Sequence, residues 1–140
     1  MTTRTAAAGS RGWGIGPDAA AASGALLVAL AVAIGAFGTH MLGDRLPQAR
    51  LDTLDTAIRY HFIGALGLIL VSVLARARGP ARAGTLQVAA GLLLAGTTVF
   101  CGTLYGLVAG GPGWLGAITP VGGLAIIAAW LTVALTYLRR

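Results

Sequence analysis

The chain contains no lysine and no glutamate, and charged residues of any kind make up only 10% of its 140 positions. Soluble globular domains carry roughly 25%, so water is not the main solvent of this protein. Its single cysteine, Cys101, excludes an intrachain disulfide and a multi-cysteine zinc cage, and reads as a small apolar core residue. The two histidines, His40 and His61, form neither an HxxxH nor an HExxH pair, and His40 with Asp44 straddles a glycine, so no metal site is expected. A nucleophile elbow, a phosphate-cradling loop and a paired-carboxylate motif within the apolar runs are also missing. Neither an enzyme nor a cofactor is expected.

What is present is apolar: 56% hydrophobic residues and a mean hydropathy of +0.82. The formal charge of +6 comes from ten arginines against four aspartates. In a soluble protein that excess would suggest a nucleic-acid partner. Here the arginines border apolar runs, where the electrical asymmetry of a membrane explains them and no nucleic acid is needed. Arginine without lysine, beside abundant alanine and glycine, also points to a GC-rich bacterial genome.

A bilayer core about 30 Å thick is crossed by ~20 helical residues, and four windows meet or approach that length: 19–42, 58–77, 85–109 and 115–138. Only the second contains charge, Arg59 and Arg76, placed near its ends where the side chains reach the headgroups. Backbone groups in lipid must pair within their own segment, so runs this long predict helices. The first window could instead be a secretory signal behind Arg4 and Arg11. It is longer than a typical signal core and lacks a clear small-x-small cleavage site, which favours a span. Residues 1–18 read as a flexible tail with Trp13 at the interface, and residues 19–140 as the transmembrane domain.

With four spans, Arg4, Arg11, Arg76, Arg78, Arg82, Arg139 and Arg140 share one face, against Arg45, Arg50 and Arg59 on the other. The positive-inside rule then puts both termini in the cytoplasm. The connecting segment 43–57 holds Pro47, then Leu51, Leu54 and Ile58 at helical spacing, beside a charged stripe of Asp52, Asp55 and Arg59 in which Asp55 and Arg59 pair at i, i+4. Together with Asp44 and Arg45 it predicts a short amphipathic helix on the outer membrane surface. The expected fold is thus an all-α integral membrane protein, an antiparallel four-transmembrane-helix bundle with that outer-face helix between spans one and two.

Helices in lipid associate through close backbone approach, so small residues should mark the contacts. Candidates are Gly35 and Gly38 with Ala31 in span one. Gly91, Ala95, Thr98, Gly102 and Gly106 follow in span three, and Gly116, Thr119 and Gly123 in span four. On this reading Gly102→Leu should split the bundle. Pro120 removes one backbone donor and, with Gly122 and Gly123, should bend or loosen the start of span four.

Antiparallel spans bring His40, Arg59, Tyr60, His61, Tyr105 and Thr119 to the outer half of the bundle. One reading is a polar pocket for a headgroup, ion or small solute, with the histidines titrating. The other, preferred here, is that these groups satisfy one another where the bundle meets the interface, with His40 stabilising the carbonyl end of its helix. The inner half offers only Ser23, Ser72, Gln87, Thr132 and Thr136, sparse and uncharged for a solute pathway.

The segments "GAFGTH" at 35–40, "TAIRYHFIGALGLIL" at 56–70, "FCGTLY" at 100–105 and "LGAITPVGGLAIIAAWL" at 115–131 resemble the signature segments of the small four-helix membrane proteins of domain-of-unknown-function family 423. The resemblance maps that family's glycines, histidine and threonine-proline step onto Gly35, Gly38, His40, Thr119, Pro120, Gly122 and Gly123, and its arginine-tyrosine pair onto Arg59 and Tyr60. It differs at one place: the family pattern has a histidine five residues after the arginine, where this chain has Gly64, with His61 a turn earlier on the same face. The resemblance implies a compact protein of the bacterial inner membrane with no established activity. The expected role is structural or accessory, binding membrane lipids, partner membrane proteins or a second copy, with a small-solute or ion pathway as the alternative.

Overall fold

The computed structural model describes residues 14–42 and 45–138, apart from the side chains of Thr39, Pro80 and Ala81. Helix α1 spans Pro17–Phe37 and passes into a π-helical turn over Gly38–Leu42. Helices α2 (Gln48–Ala77), α3 (Gly79–Val108) and α4 (Leu115–Leu138) follow. Among the described residues, these four helices are long and apolar enough to cross a membrane.

Local chemistry sets the ends. Pro17 opens α1, its fixed φ suiting a first turn, and Asp18 adds favourable charge there. Arg78 alone separates α2 from α3, with a proline in the first turn of α3 that could not have continued α2. Helix α3 ends in a Schellman motif: Gly110 takes φ +88°, its N–H bonds the Leu107 carbonyl at 3.1 Å, and the Gly111 N–H bonds that of Gly106 at 2.8 Å.

The segment expected to form a separate surface helix is instead the beginning of α2, which runs unbroken from Gln48. The reason is phase. Leu54, Ala57 and His61 are buried on one face that continues through Ala65, Leu68 and Val71, and no glycine or proline interrupts residues 48–63. Leu54 fills the space left by the missing side chain of Gly38, where a Cβ would lie 2.8 Å from its Cδ2.

The main interfaces are α1 with α2, α2 with α3 and α3 with α4, plus a small α1–α3 contact. Helices α2 and α3 are therefore central, with 44% of the residues in their apolar spans buried against 17% in α1 and α4. The core joins Leu68, Val71 and Ala75 of α2 to Leu86, Ala89, Ala90 and Leu93 of α3, Ile126 and Ala129 of α4, and Ala20 of α1. The expected tail boundary at residue 18 also shifts, because residues 14–18 are held. The Ile15 N–H donates to the Gln87 carbonyl at 3.2 Å, the Ser72 hydroxyl to the Pro17 carbonyl at 2.6 Å, and Arg76 pairs with Asp18. Residues 1–13 lie outside the described residues. At the far end of α4, the Arg78 guanidinium lies 4.1 Å from the centre of the Tyr137 ring.

Close approach does hold the helices together, but largely through other glycines than expected. A Cβ on Gly96 would stand 2.9 Å from the Gly122 carbonyl oxygen, and one on Gly122 would stand 2.5 Å from the Phe100 nitrogen, so α3 and α4 touch backbone to backbone. A Cβ on Gly24 would meet the Ala65 carbonyl at 2.7 Å, one on Gly67 the Leu93 and Trp130 side chains at 2.8 Å, and one on Gly64 would collide with Thr97. Of the expected set, Gly38 packs on Leu54 and Gly106 on Leu115, whereas Gly35, Gly116 and Gly123 make only ordinary contacts and Gly91 is half-buried. Gly102 faces open space, and Ala95 and Thr98 beside it are exposed. The middle of the α3 stripe expected to face its neighbours, Ala95, Thr98 and Gly102, points outward; the inward face carries Leu86, Ala89, Leu93, Thr97 and Cys101.

Two glycine substitutions separate the faces. Gly122→Ala is expected to destabilise by about 1–3 kcal/mol through overpacking, whereas Gly102→Leu should stay within about 0.5 kcal/mol of the native chain. Unfolding of the detergent-solubilised protein, followed by circular dichroism, checks both.

Candidate functional site

The expected outer pocket resolves into separate groups. His61 of α2 is only 3% exposed, and its Nδ1 lies 3.0 Å from the Tyr105 hydroxyl of α3, with ring centres 5.9 Å apart. A sidedness follows whichever atom carries the proton: Nδ1 is paired, and Nε2 is fully buried with no partner among the described residues. About two turns before Tyr105 on α3, Thr97 is 1% exposed and its Oγ1 is likewise buried and unpaired. Thr97 occupies the space beside Gly64 that any side chain there would need. The glycine at position 64 thus leaves room for Thr97 in the α2–α3 interface.

The second group bridges α3 and α4. The hydroxyls of Thr103 and Thr119 are 2.8 Å apart, each also within reach of a carbonyl of its own helix, Phe100 at 2.9 Å and Leu115 at 3.1 Å. Two hydroxyl protons serve three contacts, so the pair shares them. Helix α4 continues through Pro120, the residue that follows.

The remaining candidates lie on the surface. Arg59 pairs with Asp55 at 2.6 Å, both largely exposed; Tyr60 packs its ring on Phe100 with centres 4.8 Å apart. Asp52 accepts from the Gln48 side-chain amide at 2.8 Å. Arg45 is exposed, its backbone N–H donating to the Leu42 carbonyl at 3.0 Å. Asp44 lies outside the described residues. His40 sits exposed on the π-helical turn and joins neither the His61 nor the Thr119 group. Among the described residues, no three histidine, cysteine or acidic side chains converge.

Sequence reasoning missed Thr97 and Thr103. A signal for Thr97 existed: Ala89, Leu93, Thr97, Cys101 and Val108 follow a helical period that turns its hydroxyl inward, whereas Thr103 lies off that stripe.

The profile of a family described as proteins of unknown function, DUF423, matches residues 34–123. The chain belongs to this family. The matched stretch holds the π-helical turn, α2, α3 and the start of α4, and so every polar group above. Similar proteins include the UPF0382 membrane protein YwdK of Bacillus subtilis, 40% identical over 110 residues covering 79% of this chain and 88% of that one. The UPF0382 membrane protein SH2409 of Staphylococcus haemolyticus is 36% identical, covering 81% and 89%. The UPF0382 membrane protein C1782.12c of Schizosaccharomyces pombe is 32% identical, covering 78% and 92%. No solved structure matches the chain. Relatives named as membrane proteins, together with four apolar helices, make this DUF423 chain a multi-pass membrane protein with no assigned activity.

The threonine pair offers a direct check of its worth in this DUF423 chain. A double-mutant cycle of Thr103→Val and Thr119→Val is expected to yield a coupling energy of about 0.6 kcal/mol, as for other interhelical hydrogen bonds in membranes, measured by reversible unfolding in mixed micelles.

Proposed function

We propose that this protein is a non-catalytic accessory component of the bacterial plasma membrane, which binds lipid and partner membrane proteins through its outward faces. The helices run antiparallel with both termini in the cytoplasm, and the first turns of α2 lie at the outer surface. Contacts between α1 and α2 support this arrangement: Pro17 meets Ser72, Gly24 meets Ala65 and Gly38 meets Leu54, in opposite chain order. Arg76, Arg78 and Arg82 at the α2–α3 turn then share the arginine-rich face with those near the termini, as the positive-inside rule requires.

The observation that carries the accessory reading is how the interior disposes of its polar groups. The Ser72 hydroxyl goes to the Pro17 carbonyl, that of Thr136 goes to a carbonyl of its own helix, the His61 Nδ1 goes to Tyr105, and the His61 Nε2 and Thr97 hydroxyl are enclosed. Between these lie Leu68, Leu86 and Leu93, fully packed. A solute pathway needs a continuous polar lining; this interior supports a sealed one. Outside, Ala95, Thr98 and Gly102 leave α3 a shallow, exposed strip against which another helix, including that of a second copy, could pack closely.

Reconstituted into liposomes, the native chain is expected to leave ion and small-solute leakage at the protein-free level. A selective flux that disappears in His61→Ala would overturn the accessory reading in favour of a pathway.

A further inference from the structure

Beside Tyr105, the end of α1, the first turns of α2 and the end of α3 enclose a groove of about 430 Å³, lined by Ile34, Phe37, Leu54, Tyr105 and Val108 with Arg50 at its rim. We propose that this groove binds one acyl chain of an anionic glycerophospholipid, whose phosphate sits on the Arg50 guanidinium. The proposal deepens the lipid-binding side of the accessory reading and rests on it.

Three features support this occupant. First, the groove is apolar. The Tyr105 hydroxyl is already engaged with His61, so Arg50 supplies the free polar group. The groove's volume lies within the roughly 300–1,000 Å³ of small-ligand sites, and in a bilayer the abundant apolar filler is an acyl chain.

Second, Arg50 is exposed, and among the described residues it has no carboxylate partner. Asp55 pairs with Arg59 and Asp18 with Arg76, and Asp52 is taken by Gln48. Arg50 also stands in the first turn of α2, the end at which a helix dipole disfavours a cation, so it does not serve its own helix.

Third, the guanidinium lies beside the turn that follows α3. Its Nη1 and Nη2 lie 3.6 and 3.8 Å from where a Cβ of Gly110 would stand, so it reaches from α2 to the turn after α3. That turn's own N–H groups already bond the carbonyls of Tyr105, Gly106 and Leu107. The planar fork of donors left at the rim matches a phosphate, which it can hold by two parallel hydrogen bonds. A zwitterionic lipid offers the same phosphate but adds a cation beside Arg50, so an anionic headgroup is favoured.

Native mass spectrometry tests this on the full chain released from lipid nanodiscs of equal parts dioleoylphosphatidylglycerol and dioleoylphosphatidylcholine. The native chain is expected to retain one lipid, predominantly phosphatidylglycerol. Arg50→Gln should lower that retention about tenfold, as befits loss of a charge-assisted contact. Ala109→Trp, at an exposed groove-lining position, should abolish it by filling the groove. Arg59→Gln, an equal change of charge outside the groove, should leave it unaltered. Equal retention in the native chain, Arg50→Gln and Ala109→Trp would overturn the proposal, as would a native chain that retains neither lipid. Those results leave the sealed interior untouched, since the flux measurement tests it separately. A selective flux with Arg50-dependent retention intact would remove the accessory reading and keep the groove.

Discussion

Lipid rewards helices little for hiding apolar side chains from it, so this protein is held together by how closely its backbones approach. Gly96 and Gly122 let α3 and α4 touch, Gly24 lets α1 rest on the Ala65 carbonyl, and Gly64 admits Thr97 between α2 and α3. The functional geometry depends on these contacts. The His61–Tyr105 bond exists because α2 and α3 lie near enough for two side chains to span the gap. The Thr103–Thr119 bond likewise spans the close α3–α4 contact.

The same close packing divides polar from apolar. Inside the helix interfaces each polar group is spent on a neighbour or left enclosed, as with the His61 Nε2 and the Thr97 hydroxyl. A buried unpaired polar atom carries a desolvation cost of about 1–3 kcal/mol, so their retention in the α2–α3 interface reflects the tight fit around Gly64 and Tyr105. At the α1–α2–α3 corner packing stops short, and the groove beneath Arg50 is the space left over. A packed interior beside an open corner is what the proposed accessory role calls for.

The number and placement of the helices were legible in the sequence because length and hydropathy alone determine what spans a bilayer. The His61 and Tyr105 partnership was legible in part, since antiparallel spans put both at one depth. Which face of each helix points inward was not. These helices are apolar nearly all round, so hydrophobicity does not mark an inner side. In α3 two stripes of small residues compete. The one expected through Gly102 is exposed at Ala95, Thr98 and Gly102, while Ala89, Gly96 and Cys101 are buried. The continuous α2 was misread because charge at Asp52, Asp55 and Arg59 suggested a surface element, while its inward face kept phase with the rest of the helix. His40 resembled a pocket member by depth alone; the π-helical turn carries it outward.

The central claim is that α2 and α3 meet through Gly64 and Thr97, with the Gly102 face turned away. Oxidative cross-linking tests it in a Cys101→Ala background. A Cβ on Gly64 would lie 2.8 Å from that of Thr97, closer than the ~3.5–4.5 Å that disulfides use, so the bond requires the helices to part by about 1 Å, which replacing the branched Thr97 side chain eases. Gly64→Cys with Thr97→Cys is expected to form an intrachain disulfide in native membranes, and Gly64→Cys with Gly102→Cys is not. Absence of the first bond, or equal yield of the second, would contradict this packing.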